Sequence, residues 1–266
     1  MLKRIFPGGA ALPLTMAFVA FLAMTGVAEA AVGDVSTAAG TGAVGAADGP
    51  GASATFYSPT GVVTDSFGNI FVADQGNNVI RQITPSGVVS TFAGSGSSGN
   101  TDAVGPAASF NGPFALAIDS TNTLFVSDRG NQLVRKVTAA GLVSTLAGSG
   151  ASASVDGLGV AASFIGPEGI ALDSAGNVFV VDTSNSGDST VRKITPGGLV
   201  STFAGSGTIG YADGQGTAAM FYSAQGVVID ATDSLYITDI RNDDDDIAEH
   251  GSAPHRWTRV PGSNDL

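Results

Sequence analysis

The feature that most constrains this chain is its self-similarity. Phe56, Phe110, Phe164 and Phe221 each stand ahead of a similar turn, and Asp74, Asp128, Asp182 and Asp239 each end a similar apolar run; both series advance in steps of 54, 54 and 57 residues. A fixed period of this size belongs to arrays of one supersecondary unit, whose neighbouring copies bury each other's apolar faces. The three extra residues of the last step fall in TSNSGDST. There Asp182 and Arg192 are ten apart, whereas Asp74 and Arg81, like Asp128 and Arg135, are seven apart. The repeat therefore carries a lengthened hairpin loop and is not broken.

Each unit reads as four short strands, for example GVVTD, NIFVAD, NVIRQIT and VVSTFAG between Gly61 and Gly94. The first hairpin turns at DSFGN, DSTNT, DSAGN and DATDS, the second at QGNN and RGNQ, and the third at PSG, AAG and PGG. Asp, Asn and Gly suit such turns because they tolerate left-handed backbone angles or bond their own backbone. No helical period follows residue 30. Four antiparallel strands at a fixed period imply an all-β fold, a β-propeller of four-stranded antiparallel blades. One strand before the first unit, twelve in three full units and two in the fourth amount to about 3.75 blades. The leading VSTAAG reads as an outermost strand placed to close the ring on the last blade. The last unit stops at SLYITDIRN, where its third strand should follow, and DDDDIAEHGSAPHRWTRVPGSNDL matches nothing earlier. The expectation is an incomplete propeller over residues 31–242, followed by a divergent acidic, disordered tail over 243–266. A frameshift or truncated reading frame would explain the change of composition. Open blade edges would then favour self-association.

The same repetition removes a nucleotide-binding reading. STFAGSGSSG, residues 90–99, contains the spacing G-x-G-x-x-G, but the fingerprint needs a helix opening at its last glycine, and NTDAVGPAASF is a poor helix start. Similar words recur at 36, 144 and 201, and a unique cofactor site does not come in four copies. The formal charge of -12 speaks against nucleic acid or an anionic membrane as partner, since a phosphate backbone needs clustered Lys and Arg. With no cysteine there is no disulfide, thiolate metal site, cysteine nucleophile or lipidated N-terminal Cys. Lys3 and Arg4 precede an apolar run from Ala10 to Val27, and Ala28-Glu29-Ala30 offers a small-x-small site. Residues 1–30 thus read as a signal peptide, with an uncleaved anchor as the alternative; either way the rest is secreted or periplasmic.

The string PTGVVTDSFGNIFVADQGNNVIRQITPSGVVSTFAG, with GPEGIALDSAGNVFVVD in the third unit, resembles the NHL repeat. The longer linkers, AGSGTIGYADGQGTAAMF being the fullest, are similar to the extended repeats of teneurin-type and bacterial exported propellers. The resemblance spans about residues 35–242 and implies a β-propeller. NHL propellers serve as scaffolds, RNA binders and enzymes alike, so function has to come from the site.

Repetition argues that the recurrent residues are architecture. Asp65, Asp119, Asp173 and Asp230 open hairpin turns, while Asp74, Asp128, Asp182 and Asp239 are placed to accept backbone N–H bonds from the turn that follows. Arg81, Arg135 and Arg192 lie across the second hairpin from those strand-ending carboxylates, as cross-strand ion pairs require. Asp48, Asp102, Asp156 and Asp213 recur in the linkers, and Phe56, Phe110, Phe164 and Phe221 are expected to be buried between adjacent blades. Glu168 breaks the symmetry. It is the one glutamate between Glu29 and Glu249, and its equivalents Thr60, Phe114 and Gln225 precede the innermost strand near one mouth of the channel. Glu168 reads as an exposed turn carboxylate or, by resemblance to lactonase and gluconolactonase propellers, as a metal ligand and weak catalytic candidate; the Asn and Asp partners of such a site are not identifiable. Amidating-lyase and streptogramin-lyase propellers use blade histidines, whereas His250 and His255, with Trp257, fall outside the repeats. Asp243 to Asp246 could bind Ca²⁺ weakly but lack EF-hand ligand spacing. The leading expectation is a non-catalytic scaffold, without a cofactor, that binds a protein, small ligand or carbohydrate at a propeller face. The alternative is a metal-dependent lactonase-type hydrolase or a lyase.

Overall fold

The computed structural model describes residues 2–5, 35–240 and 256–260. Most of the expected signal segment, and the acidic run Asp243 to Asp246, lie outside the described residues. Strand β1 (Leu2–Ile5) pairs antiparallel with β2 (Val35–Ala39). Blade 1 follows as a five-stranded antiparallel sheet. Its short β3 (Gly49–Pro50) sits outside β7 (Val88–Ala93), with β6 (Val79–Ile83), β5 (Ile70–Asp74) and β4 (Pro59–Thr64) running inward. Blade 2 runs inward from β11 (Val143–Ala147) through β10 (Leu133–Val137) and β9 (Leu124–Asp128) to β8 (Pro113–Ile118). Blade 3 repeats the five-stranded order with β12 (Gly157–Leu158), β16 (Leu199–Ala204), β15 (Ser189–Ile194), β14 (Val178–Thr183) and β13 (Pro167–Leu172). Blade 4 has three strands, β17 (Ala224–Ile229), β18 (Leu235–Asp239) and β19 (Arg256–Val260).

Two expectations are corrected at the ends. VSTAAG, as β2, pairs with β1 and not with blade 4. The third strand of blade 4 is present, because β19 from the divergent tail pairs along β18 from Asp239↔Arg256 to Leu235↔Val260. A strand needs only a free edge and extended backbone, so a segment without the repeat's residues can still occupy that position. Among the described residues, blade 4 has no fourth strand. Blades 1 and 3 differ from the four-stranded expectation by the short linker strands β3 and β12, which pair with β7 and β16.

The second strands, IFVAD, LFVSD and VFVVD, are apolar on both faces because a neighbouring layer covers each face. Phe71, Ala73 and Ile80 of blade 1 pack on Leu116, Leu124 and Val126 of blade 2, with Phe110 wedged between. Phe125 and Val134 meet Ile170, Val178 and Val180 around Phe164. Phe179, Val181 and Val191 meet Val227, Leu235 and Ile237 around Phe221. Phe110, Phe164 and Phe221 are essentially inaccessible, and Phe56 is 6% exposed.

One polar cluster, made three times, ties each linker to its blade. The Arg81 guanidinium is buried; Nη1 donates to Asp74 Oδ2 at 2.9 Å and to the Thr55 carbonyl, and Nη2 to Asp48 Oδ1 at 2.6 Å and to the Ala47 carbonyl. Arg135 repeats the set with Asp128, Asp102, Ser109 and Thr101. Arg192 reaches Asp156 at 2.6 Å but Asp182 only at 3.4 Å, since the lengthened hairpin separates them. Beneath each guanidinium lies the blade's phenylalanine ring, 5.0 Å away for Phe56 and 5.4 Å for Phe110 and Phe164. Each Nε has no hydrogen-bond acceptor.

The strand-ending aspartates also accept backbone N–H bonds, but from a different donor than expected. Oδ1 of Asp74, Asp128, Asp182 and Asp239 takes the N–H of Tyr57, Asn111, Ile165 and Tyr222, each 17 residues earlier and directly after the wedged phenylalanine. The backbone donors thus come from the linker, while the following turn is reached through a side chain, since Oδ2 of Asp74 and Asp128 accepts the amides of Asn77 and Asn131. Asp65, Asp119, Asp173 and Asp230 do cap their own hairpins, accepting N–H bonds two and four residues ahead.

Truncating Phe110 to Ala removes a fully enclosed ring and is expected to cost about 3–5 kcal/mol in urea unfolding. A loss under about 1 kcal/mol would mean that the ring is not enclosed in solution.

Candidate functional site

The inner strands β4, β8, β13 and β17 stand side by side in chain order. Each contains a bulge, where pairing with the second strand slips between Pro59 and Val62, Pro113 and Leu116, Pro167 and Ile170, and Ala224 and Val227. The bulged pairs are Thr60–Gly61, Phe114–Ala115, Glu168–Gly169 and Gln225–Gly226. A bulge re-aims a side chain and is over-represented beside functional sites.

The glycine in second place has a steric cause in blades 1 and 3. A Cβ on Gly61 would lie 2.8 Å from Ala115 Cα, and one on Gly169 would lie 2.5 Å from the Gln225 carbonyl oxygen. Inner strands therefore approach backbone to backbone at this level. Cross-blade bonds fasten the same level: Thr60 Oγ1 donates to the Phe114 carbonyl at 2.5 Å, Ser127 Oγ to the Glu168 carbonyl, and Thr183 Oγ1 to the Ala224 carbonyl, the last two at 2.6 Å. On this rim the first members differ from blade to blade, as Thr60, Phe114, Glu168 and Gln225, and of these only Thr60 gives its side chain to a cross-blade hydroxyl-to-carbonyl bond.

Glu168 is not an exposed turn carboxylate. It lies within β13 with its side chain 8% exposed, because the bulge turns it against the neighbouring blade. Its Oε1 accepts Arg129 Nε at 2.9 Å, and the Gln225 side chain also bonds the carboxyl group. Burial raises the Glu168 pKa; the Arg129 charge and the bonds from Gln225 and Arg129 oppose that rise without cancelling it. Arg129 begins the short turn Arg129–Asn131 after β9 and is 37% exposed at its side chain. The residue after the strand-ending aspartate reads Gln75, Arg129, Thr183 and Ile240 in the four units. This second break in the repeat, one blade from Glu168, was the available signal for Arg129, and only the blade packing pairs the two.

The other sequence candidates do not converge here. Asp74, Asp128 and Asp182 with Arg81, Arg135 and Arg192 sit in the buried clusters, Asp239 holds the linker of blade 4, and the four phenylalanines are core. Among the described residues, no three His, Cys, Asp or Glu side chains come together as metal ligands. The Glu168 carboxylate is already held by a guanidinium and an amide, a donor set that does not fit a divalent cation.

Antiparallel sheets stacked face to face around bulged inner strands define a β-propeller. No protein-family pattern matches the chain. Among solved structures it is similar to an auxiliary nutrient binding protein from Bacteroides ovatus, at 22% identity and TM-score 0.56, covering 71% of this chain and 47% of that one. A second auxiliary nutrient binding protein, from Bacteroides thetaiotaomicron, gives 20% identity and TM-score 0.54 over 68% and 45% of the two chains. A streptogramin B lyase structure gives 14% identity and TM-score 0.50 over 79% and 57%. The chain thus spans about half the length of these propellers. Among curated proteins, 91 residues are 35% identical to SUPPRESSOR OF QUENCHING 1, a chloroplastic protein of Arabidopsis thaliana, covering 34% of this chain and 9% of that protein.

The Glu168 carboxyl is expected to titrate above the ordinary 4.5 in a carbon-detected NMR titration, and higher still in Arg129→Gln, which removes the largest lowering influence. The sign follows from the ionised form losing a cation partner while its burial persists. A midpoint that stays or falls in Arg129→Gln would disprove the pair.

Proposed function

We propose that this chain is an exported, non-catalytic β-propeller of the NHL-repeat kind that holds a small polar ligand at the mouth formed by its bulged inner strands. The observation that carries this reading is the contrast between frame and rim. Clusters, wedges and turn caps repeat from blade to blade, whereas the four bulge positions read Thr60, Phe114, Glu168 and Gln225. Symmetric scaffolds acquire function where the copies differ, and this rim offers a hydroxyl, an aromatic ring, a buried ion pair and an amide at equivalent bulges of adjacent inner strands. The likeness to two auxiliary nutrient binding proteins accords with ligand capture outside the cytoplasm. Export rests on residues 1–30, and the charge of -12 disfavours nucleic acid as the partner.

A metal-dependent hydrolase or lyase would draw on the same Glu168, which would first have to release Arg129. Ca²⁺ or Zn²⁺ is therefore expected to leave the thermal midpoint of the purified chain unchanged. A stoichiometric metal found by elemental analysis and lost in Glu168→Ala would overturn the non-catalytic reading. Mass spectrometry of protein recovered from the envelope fraction is expected to show Ala31 as the first residue. A chain retaining Met1 would overturn cleavage of the signal.

A further inference from the structure

Within the blades, cations are scarce and mostly committed. Arg81, Arg135 and Arg192 are buried and bonded, and Lys193 lies over the Phe179 ring at 5.6 Å. Arg129 differs from Arg81, Arg135 and Arg192 in having a side chain that is 37% exposed. Its Nε is spent on Glu168, and no acceptor among the described residues bonds Nη1 or Nη2.

The hydrogen-bonding capacity left at the mouth then points to one kind of ligand. Glu168 is engaged by Arg129 and Gln225, and the Thr60 hydroxyl donates to the Phe114 carbonyl. What remains unspent is mainly the N–H edge of a guanidinium, a planar fork whose spacing matches two carboxylate oxygens. Glu168, itself buried and held by Gln225, fixes one side of the guanidinium, so little side-chain freedom remains to be lost when the other side is engaged. The chain's formal charge of -12 disfavours a polyanion more than a ligand with one negative group. The half-buried Phe114, at the equivalent bulge of blade 2, supplies apolar surface for the body of the ligand.

From this we propose that the propeller mouth recognises a small molecule bearing a single carboxylate, captured through Nη1 and Nη2 of Arg129, with Glu168 as the residue that positions the guanidinium. The proposal rests on the mouth-binding reading above and names the ligand chemistry. An acidic sugar and the free C-terminus of a short peptide share that chemistry.

The test titrates the full chain calorimetrically with two matched pairs: D-galacturonate against D-galactose, and acetyl-Ala-Ala with a free carboxyl group against its amide. At least one acid is expected to bind in the micromolar to millimolar range, with its neutral counterpart about tenfold weaker or silent. Whichever acid binds identifies the source. Arg129→Gln is expected to lose that preference, and Arg129→Lys, which keeps the charge but not the fork, to retain only part of it; the lysine variant serves if the glutamine variant does not fold. For the positioning role, Glu168→Gln is expected to weaken the acid and not the neutral partner, an effect that simple loosening of the rim would not produce. Equal binding of acid and neutral partner, lost in Gln225→Ala but untouched in Arg129→Gln, would overturn the carboxylate assignment while leaving the mouth as a binding site. Binding of neither pair also overturns the assignment, and a silent mouth across a wider panel of neutral ligands would overturn the broader reading with it.

Discussion

The buried arginine is the interaction on which the rest of this structure depends. A guanidinium out of contact with water is costly unless its donors are met, and here one group gathers two carboxylates and two carbonyls while resting on an aromatic ring. The carboxylates come from different places, one from the end of a blade strand and one from the linker that precedes the blade. Neither can move without stranding a charge. The cluster converts a glycine-rich linker, which would otherwise be mobile, into a strap that delivers a phenylalanine to the seam between blades. Hydrophobic burial supplies the attraction between blades, and the arginine decides where the linker lies.

That division explains how the rim can vary. The inner strands are held by glycine-permitted close approach and by hydroxyl-to-carbonyl bonds, of which only the one from Thr60 uses a bulged side chain. A threonine, a phenylalanine, a glutamate and a glutamine can occupy equivalent bulges over the same frame. Alternate blades are also alike. Gly68 and Gly176 take the left-handed position of the first hairpin in blades 1 and 3, where blades 2 and 4 use Asn122 and Asp233. Those two side chains accept the N–H of Ser66 and Ser174 in the preceding blade. The first and second blades, and the third and fourth, are stapled at this end as pairs, and Arg129 with Glu168 spans the seam between the pairs at the other end.

Much of this was legible in the residues. The period marked out the four repeat units and the blade architecture, because equal spacing of a wedge phenylalanine and a strand-ending aspartate leaves few other folds. The hairpins were legible too, since Asp, Asn and Gly reveal turns by their backbone preferences. Glu168 stood out as a break in the pattern. Its partner did not, because Arg129 lies 39 residues away on another blade and sequence spacing carries no information about contact across a seam. The linker aspartates could be seen to recur, yet nothing in their spacing showed that they bond Arg81, Arg135 and Arg192.

What the amino-acid order determined by itself is the repeating unit: strand lengths, turn positions, two-sided apolar second strands, the placement of three aspartates per unit and of one arginine in each of the first three units. These are local or periodic properties, and side-chain chemistry acts on them within a few residues. What only the tertiary structure decided is how the units meet. Stacking buried Glu168 and brought it against Arg129, aimed the strand-ending aspartates backward to the linker N–H groups, and let β19, which lacks the repeat's arginine, take the third place in the last blade. Backbone edges pair by geometry and buried charges pair by proximity, and both are settled by three-dimensional packing rather than by position along the chain.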